Sequence, residues 1–121
     1  MHMYTLRDVL VVALPPAVYD HAVQDLQTDI LTQIAETSAA VLIIDVAPVD
    51  LIDRFFAQTM LDLCKMAALL GAHPIITGID SPTAAVLATF GLDMPDLDLV
   101  GSVSDALAQL GVTNTEPIPR G

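Results

Sequence analysis

The run AVLIIDV, Ala40 to Val46, limits what this chain can fold into more than any other stretch. It is apolar at successive positions, broken only by Asp45, and its isoleucines and valines favour extended backbone. A strand of this kind has to be covered on both faces, which places it inside a sheet and not at an edge. Helical patterning lies on either side. Between Val18 and Glu36 the residues Tyr19, Val23, Leu26, Ile30 and Ile34 recur at helical spacing and share a face. A second helix, apolar over most of its circumference, is expected from Arg54 to Leu70, with Gly71 placed to end it.

The flanking segments continue the alternation. Leu6–Pro15 reads as a strand stopped by Pro15-Pro16, preceded by a short one at Met3–Leu6, and His73–Ile79 reads as another. Ser81 as N-cap, Pro82 at the first helical position and Gly91 after the end frame a third helix. DLDLVG is a short strand, and a last helix is capped by Ser102, carries Asp105 three residues on and stops at Gly111. Strands alternating with helices after an N-terminal strand pair give an α/β chain with a small mixed sheet. It forms one domain over 1–112, with 113–121 expected to be a disordered tail.

Charge excludes several functions. Four cations (Arg7, Arg54, Lys65, Arg120) stand against fifteen acids, a net charge of −11 that repels nucleic acid and anionic membrane surfaces. Apolar residues make up 54% of the chain, yet no apolar run reaches the ~18 residues of a membrane span. That excess of apolar surface points to a protein interface. The lone Cys64 has no disulfide partner within the chain, no signal segment is read at the N-terminus, and a cytoplasmic location is expected.

The reactive residues stand in no catalytic pattern. TGIDSPT lacks the lysine and spacing of a phosphate-binding loop, and no serine or cysteine sits in a nucleophile elbow. His2, His21 and His73 fall on a terminus, a helix surface and a strand start, so no metal site and no cofactor is expected. Asp45, Asp50 and Asp53 could in principle hold a cation or accept a phosphoryl group, as in receiver domains. The acidic pair and the late lysine that such a site needs are missing. The three aspartates therefore read as a strand end, a loop former and a helix N-cap.

The helix from Arg54 has a narrow polar stripe of Arg54, Gln58, Asp62 and Lys65. A helix lying on a sheet needs an apolar face of only ~100–140°. The remaining apolar surface calls for another layer or a partner, and a partner contact flanking the stripe is expected.

VLIIDVAPVDLIDRFFAQTML, MAALLGAHPIITGI and AAVLATFGLDM, in that order and spacing, resemble the STAS domain of anti-anti-sigma factors, and within it the RsbS-type scaffold of the bacterial stressosome. The likeness runs from about Val9 to Leu110. It implies a SpoIIAA-like fold, a mixed sheet faced by about four helices on one side, and a regulatory scaffold without enzymatic activity. The implied partners are homologous sensor STAS proteins (RsbR-type), a serine/threonine switch kinase (RsbT-type) and further copies of the chain as a dimer or homo-oligomer. Two other readings accompany it: a free-standing anti-anti-sigma antagonist, and a small-ligand module with a pocket near the helix start at Asp53.

In the family the phosphoacceptor serine follows the Asp of the ID pair, where this chain reads Ile52-Asp53-Arg54. Guanidinium accepts no phosphoryl group. Arg54 then marks a switch that has been lost or moved, an engineered block, or a surface residue of a divergent member that never served a kinase. Thr59 is a poor alternative acceptor, being turned about 140° away around the helix. Thr37 and Ser38 are the more exposed alternatives. Phe55, Gln58, Thr59 and Asp62 make up the expected partner surface.

Overall fold

The computed structural model describes residues 1–89 and 98–112. Gly91, the first two residues of DLDLVG (Asp96 and Leu97) and the tail after Val112 lie outside the described residues. A five-stranded sheet runs in the order β1 (His2–Leu6), β2 (Val9–Ala13), β3 (Val41–Asp45), β4 (His73–Thr77), β5 (Asp98–Val100). β1 and β2 form an antiparallel hairpin, and every other neighbouring pair is parallel. The helices are α1 (Val23–Thr37), α2 (Arg54–Leu69), α3 (Ser81–Thr89) and α4 (Val103–Gln109).

Strand alternation sorts the core into two layers. Leu10, Val12, Leu42, Ile44 and Ile76 meet Leu26, Ile30 and Ile34 of α1 and Met60, Leu63 and Cys64 of α2. On the reverse face, Val9, Val11, Ile43 and Ile75 pack with Ala106 and Leu107 of α4 and with Val112. The one-sided helix layer implied by the resemblance is thereby corrected. Leu42, Ile43 and Ile44 are all fully buried, so β3 needs cover on both faces, and α4 supplies part of the second.

Three local expectations also change. α1 begins only at Val23, after a 3₁₀ turn over Asp20–Ala22 closed by the Ala22 N–H on the Tyr19 carbonyl at 2.9 Å. The tighter turn breaks the helical phase, and Tyr19 stands 64% exposed, stacked on His21, instead of joining Val23, Leu26, Ile30 and Ile34. Asp80, not Ser81, caps α3. Its Oδ1 accepts the Thr83 N–H at 2.8 Å, and bonds from the Thr83 side chain and amide hold the Asp80 carboxyl below its ordinary pKa. α2 ends as expected: the Gly71 N–H reaches the Ala68 carbonyl and the Ala72 N–H that of Ala67, both at 3.0 Å, with Gly71 at φ +90°.

Ser38 closes α1 in left-handed backbone at φ 54°, ψ 38°. A Cβ is unfavourable there, so Ser38→Gly is expected to raise stability by roughly 0.5–1 kcal/mol, read as an upward shift of the urea midpoint at constant slope.

Candidate functional site

The C-terminal ends of β2, β3 and β4 carry the loop that delivers α2. Asp45 organises it. Its Oδ1 accepts the Ala47 N–H at 3.2 Å and the hydroxyl of the fully buried Thr77 at 3.0 Å. The Val46 N–H donates to the Thr77 carbonyl at 2.9 Å, and the Asp50 N–H donates to the Pro16 carbonyl at 2.8 Å. The loop between Asp45 and Asp53 is therefore tied to the end of β4 on one side and to the segment after β2 on the other. Val49 and Ile52 anchor it further by packing against the larger core layer.

Asp53 sits in extended backbone and caps α2, its Oδ1 accepting the Phe56 N–H at 2.8 Å. Asp53→Ala is expected to cost about 1 kcal/mol, because a first-turn N–H loses its partner. An unchanged denaturation midpoint in that variant would contradict the assignment.

From this start α2 shows solvent an exposed line of Arg54, Gln58, Asp62 and Lys65, with Gln58 Nε2 donating to Asp62 Oδ1 at 3.1 Å. Beside it Phe55 is 50% exposed. Thr59 is set back from that exposed line and borders a cleft together with Phe55. It is buried and its hydroxyl donates to the Phe55 carbonyl at 2.9 Å, so the side chain turns back along its own helix. Of the four residues expected to form a partner surface, Phe55, Gln58 and Asp62 are accessible and Thr59 is not.

Two residues absent from that expectation belong with Phe55. Leu51 and Tyr19, both more than half exposed, line with it a cleft of about 220 Å³ that also touches Val18, Asp50 and Asp53. Leu51 was readable in principle as an apolar residue inside a loop of turn formers. Tyr19 was hidden by a helical pattern that the 3₁₀ turn interrupts.

Thr37 and Ser38 lie at the other end of the domain. They precede β3, whereas Arg54 follows it, and α1 alone is about 22 Å long. The Thr37 hydroxyl donates to the Gln33 carbonyl at 2.7 Å. Both residues are exposed, but neither shares a surface with the α2 start. Asp45, Asp50 and Asp53 each serve the loop separately. Among the described residues no three His, Cys, Asp or Glu side chains are grouped to hold a metal ion. Burial pushes the Cys64 thiol up to a pKa of about 12, which keeps it protonated and unreactive at neutral pH. No described helix is long and apolar enough to cross a membrane.

The profile of the family described as STAS domain matches residues 1–106. The Bacillus subtilis (strain 168) protein YezB is 31% identical over 71 residues, 59% of this chain and 72% of that protein. A chain from the stressosome, described as a signal integration and transduction hub, superposes with a TM-score of 0.77 at 25% identity, covering 91% of this chain and 98% of its own length. A serine-to-glutamate variant of RsbS from Moorella thermoacetica gives a TM-score of 0.79, also at 25% identity, over 90% of this chain and 95% of its own.

Proposed function

Because the chain belongs to the STAS domain family, we propose that it works by binding other proteins, as an RsbS-type scaffold for sensor STAS proteins and a serine/threonine switch kinase. One observation carries the reading: the exposed apolar group of Phe55, Leu51 and Tyr19 at the start of α2, beside Arg54. Rigid loop ties hold this group in place, so a partner that docks on it loses little of its binding energy to ordering. The accessible residue at the family's switch position is a cation in place of a hydroxyl. The surface therefore stays in one charge state, and the chain is a constitutive binder whose release is not controlled by phosphorylation at position 54. No step of catalysis is assigned to it.

The ligand-module reading has weaker support. The cleft beside Asp53, at about 220 Å³, falls below the ~300–1,000 Å³ usual for small-molecule sites, and the carboxylates of Asp50 and Asp53 border it.

Co-expression with a sensor homologue, followed by size-exclusion chromatography and addition of the kinase, tests the proposal. A large mixed particle that retains the kinase is the expected result. A one-to-one complex with the kinase alone would identify a free-standing antagonist instead. Phe55→Glu should fold normally, since half of the side chain already faces water, and should lose the kinase from the particle. Undiminished capture by that variant would move the binding surface elsewhere.

A further inference from the structure

The cleft at the start of α2 has the size of one side chain. Its volume of about 220 Å³ gives room for roughly seven waters, close to the number of non-hydrogen atoms in a single arginine side chain. Its lining is of two kinds. Tyr19, Leu51 and Phe55, each half exposed or more, supply apolar and aromatic surface, and Asp50 and Asp53 supply two carboxylates. These walls are held in place before anything enters. The Asp50 N–H donates at 2.8 Å to the carbonyl of Pro16, which lines the same cleft, and His21 stacks on Tyr19 with ring centroids 5.7 Å apart and planes 10° from parallel.

That combination selects among occupants. A purely apolar side chain would strip water from the two carboxylates and give them no hydrogen bond in return. An acidic one would meet both aspartates within a chain that carries −11 overall. A cation is favoured, and a guanidinium more than an ammonium. It is flat enough to stack on an aromatic ring, sheds its water more readily, and donates in parallel pairs to a carboxylate. Its aliphatic stem suits Leu51 and Phe55. The Phe56 N–H, at 2.8 Å from Asp53 Oδ1, takes one lone pair of a carboxylate that has about four to offer. The positive end of the α2 dipole opposes a cation here. The Asp53 carboxylate caps that end and offsets it, and Arg54 is not among the residues that line the cleft.

We propose that this cleft receives an arginine side chain presented by a protein partner, with the guanidinium on the carboxylates of Asp50 and Asp53 and the stem against Leu51, Phe55 and Tyr19. The inference rests on the reading that the α2 start meets a protein, but not on that protein's being a kinase. It states what the partner must carry: an exposed arginine, a residue type that often dominates the energy of an interface when it fills a pocket.

Amide chemical shifts of the whole chain, titrated with the blocked tripeptide glycyl-arginyl-glycine, provide the test. Saturable shifts should gather at Tyr19, Leu51, Phe55 and Phe56, and should leave Asp25 and Asp29 of α1 unmoved. The matching citrulline peptide, which has the same shape without the charge, and the leucine peptide should each bind about tenfold more weakly. Asp50→Asn combined with Asp53→Asn removes both charges while asparagine keeps the helix cap. This double variant should hold its melting temperature and bind the arginine peptide about tenfold more weakly. Shifts scattered over the acidic surface, equal binding of the leucine or citrulline peptide, or undiminished binding by the double variant would each overturn the proposal. Kinase capture by Phe55→Glu separates it from the scaffold reading. Lost capture together with any of those three results leaves the scaffold standing and removes the arginine cleft. Arginine-selective shifts beside undiminished capture uphold the cleft and move the kinase surface elsewhere.

Discussion

Gly78→Ala is expected to destabilise the fold by roughly 3 kcal/mol and to lower the melting temperature by on the order of 10 °C. Two costs combine. Gly78 has φ +88°, a conformation that costs an L-residue about 1–2 kcal/mol. A Cβ there would also come within 2.5 Å of the Ala47 backbone nitrogen and 2.8 Å of its Cα. Neither atom can swing aside as a flexible side chain would. The Ala47 N–H is held by Asp45, and the Gly78 N–H donates to the Val100 carbonyl at 3.3 Å, so both sides of the contact are fixed. Gly71 separates the two terms. Its φ is +90°, nearly the same, but a Cβ there meets nothing within 4 Å, and Gly71→Ala should lose only the backbone term, about 1 kcal/mol. Equal losses of melting temperature in the two variants would show that the approach of Ala47 to Gly78 does not matter. A larger loss at Gly78 identifies this crossing as what sets the position of the loop leading to Asp53 and Arg54.

How legible each part was in the sequence depended on the range of the forces involved. β3 was readable because unbroken apolar patterning has one cheap solution, a strand covered on both faces. The caps at Asp53 and Ser102 were readable because a short side chain bonding a backbone N–H three residues on is a local event, seen at 2.8 and 3.1 Å. The cap of α3 was misplaced by one residue, at Ser81, since Asp80 and Ser81 are both competent and adjacent. The Ala84 N–H resolves it by donating to the Asp80 carbonyl at 2.9 Å, which makes Asp80 the first turn's anchor. The placement of α4 on the reverse face, the exposure of Tyr19 and the burial of Thr59 were not legible. Each depends on where one element lies against another, and periodicity along a single segment carries no such information. The apolar group at the α2 start joins residues from two loops and a helix, so spacing alone could not assemble it.

On the proposed reading, placing a hydroxyl at the α2 start should turn a constitutive surface into a switchable one. With a cognate switch kinase, the unmodified chain is expected to bind and to take no phosphate at position 54, whereas Arg54→Ser should be phosphorylated there. The exchange should be tolerated. Position 54 is the first residue of α2 and is exposed, and a serine at the positive end of the helix dipole replaces a cation that the dipole disfavours, a gain of a few tenths of a kcal/mol. Phosphorylation then moves the local charge from +1 in the unmodified chain to about −2 in the variant. The dianion gains from the helix-start N–H groups, but the Phe56 N–H is already taken by Asp53 Oδ1, whose carboxylate lies next to it. Crowding two anions at one helix start beside Phe55 and Leu51 should loosen a partner docked on that group, by about tenfold or more in affinity, some 1.4 kcal/mol. Intact-mass spectrometry with peptide mapping gives the site of incorporation, and kinase retention before and after phosphorylation gives its effect. Phosphate on Thr37 or Ser38 of the unmodified chain would mean that the switch has moved to the opposite end of the sheet. No incorporation into Arg54→Ser by a kinase that binds it would remove the kinase-substrate lineage of this surface, leaving Arg54 as a residue that never stood in for an acceptor.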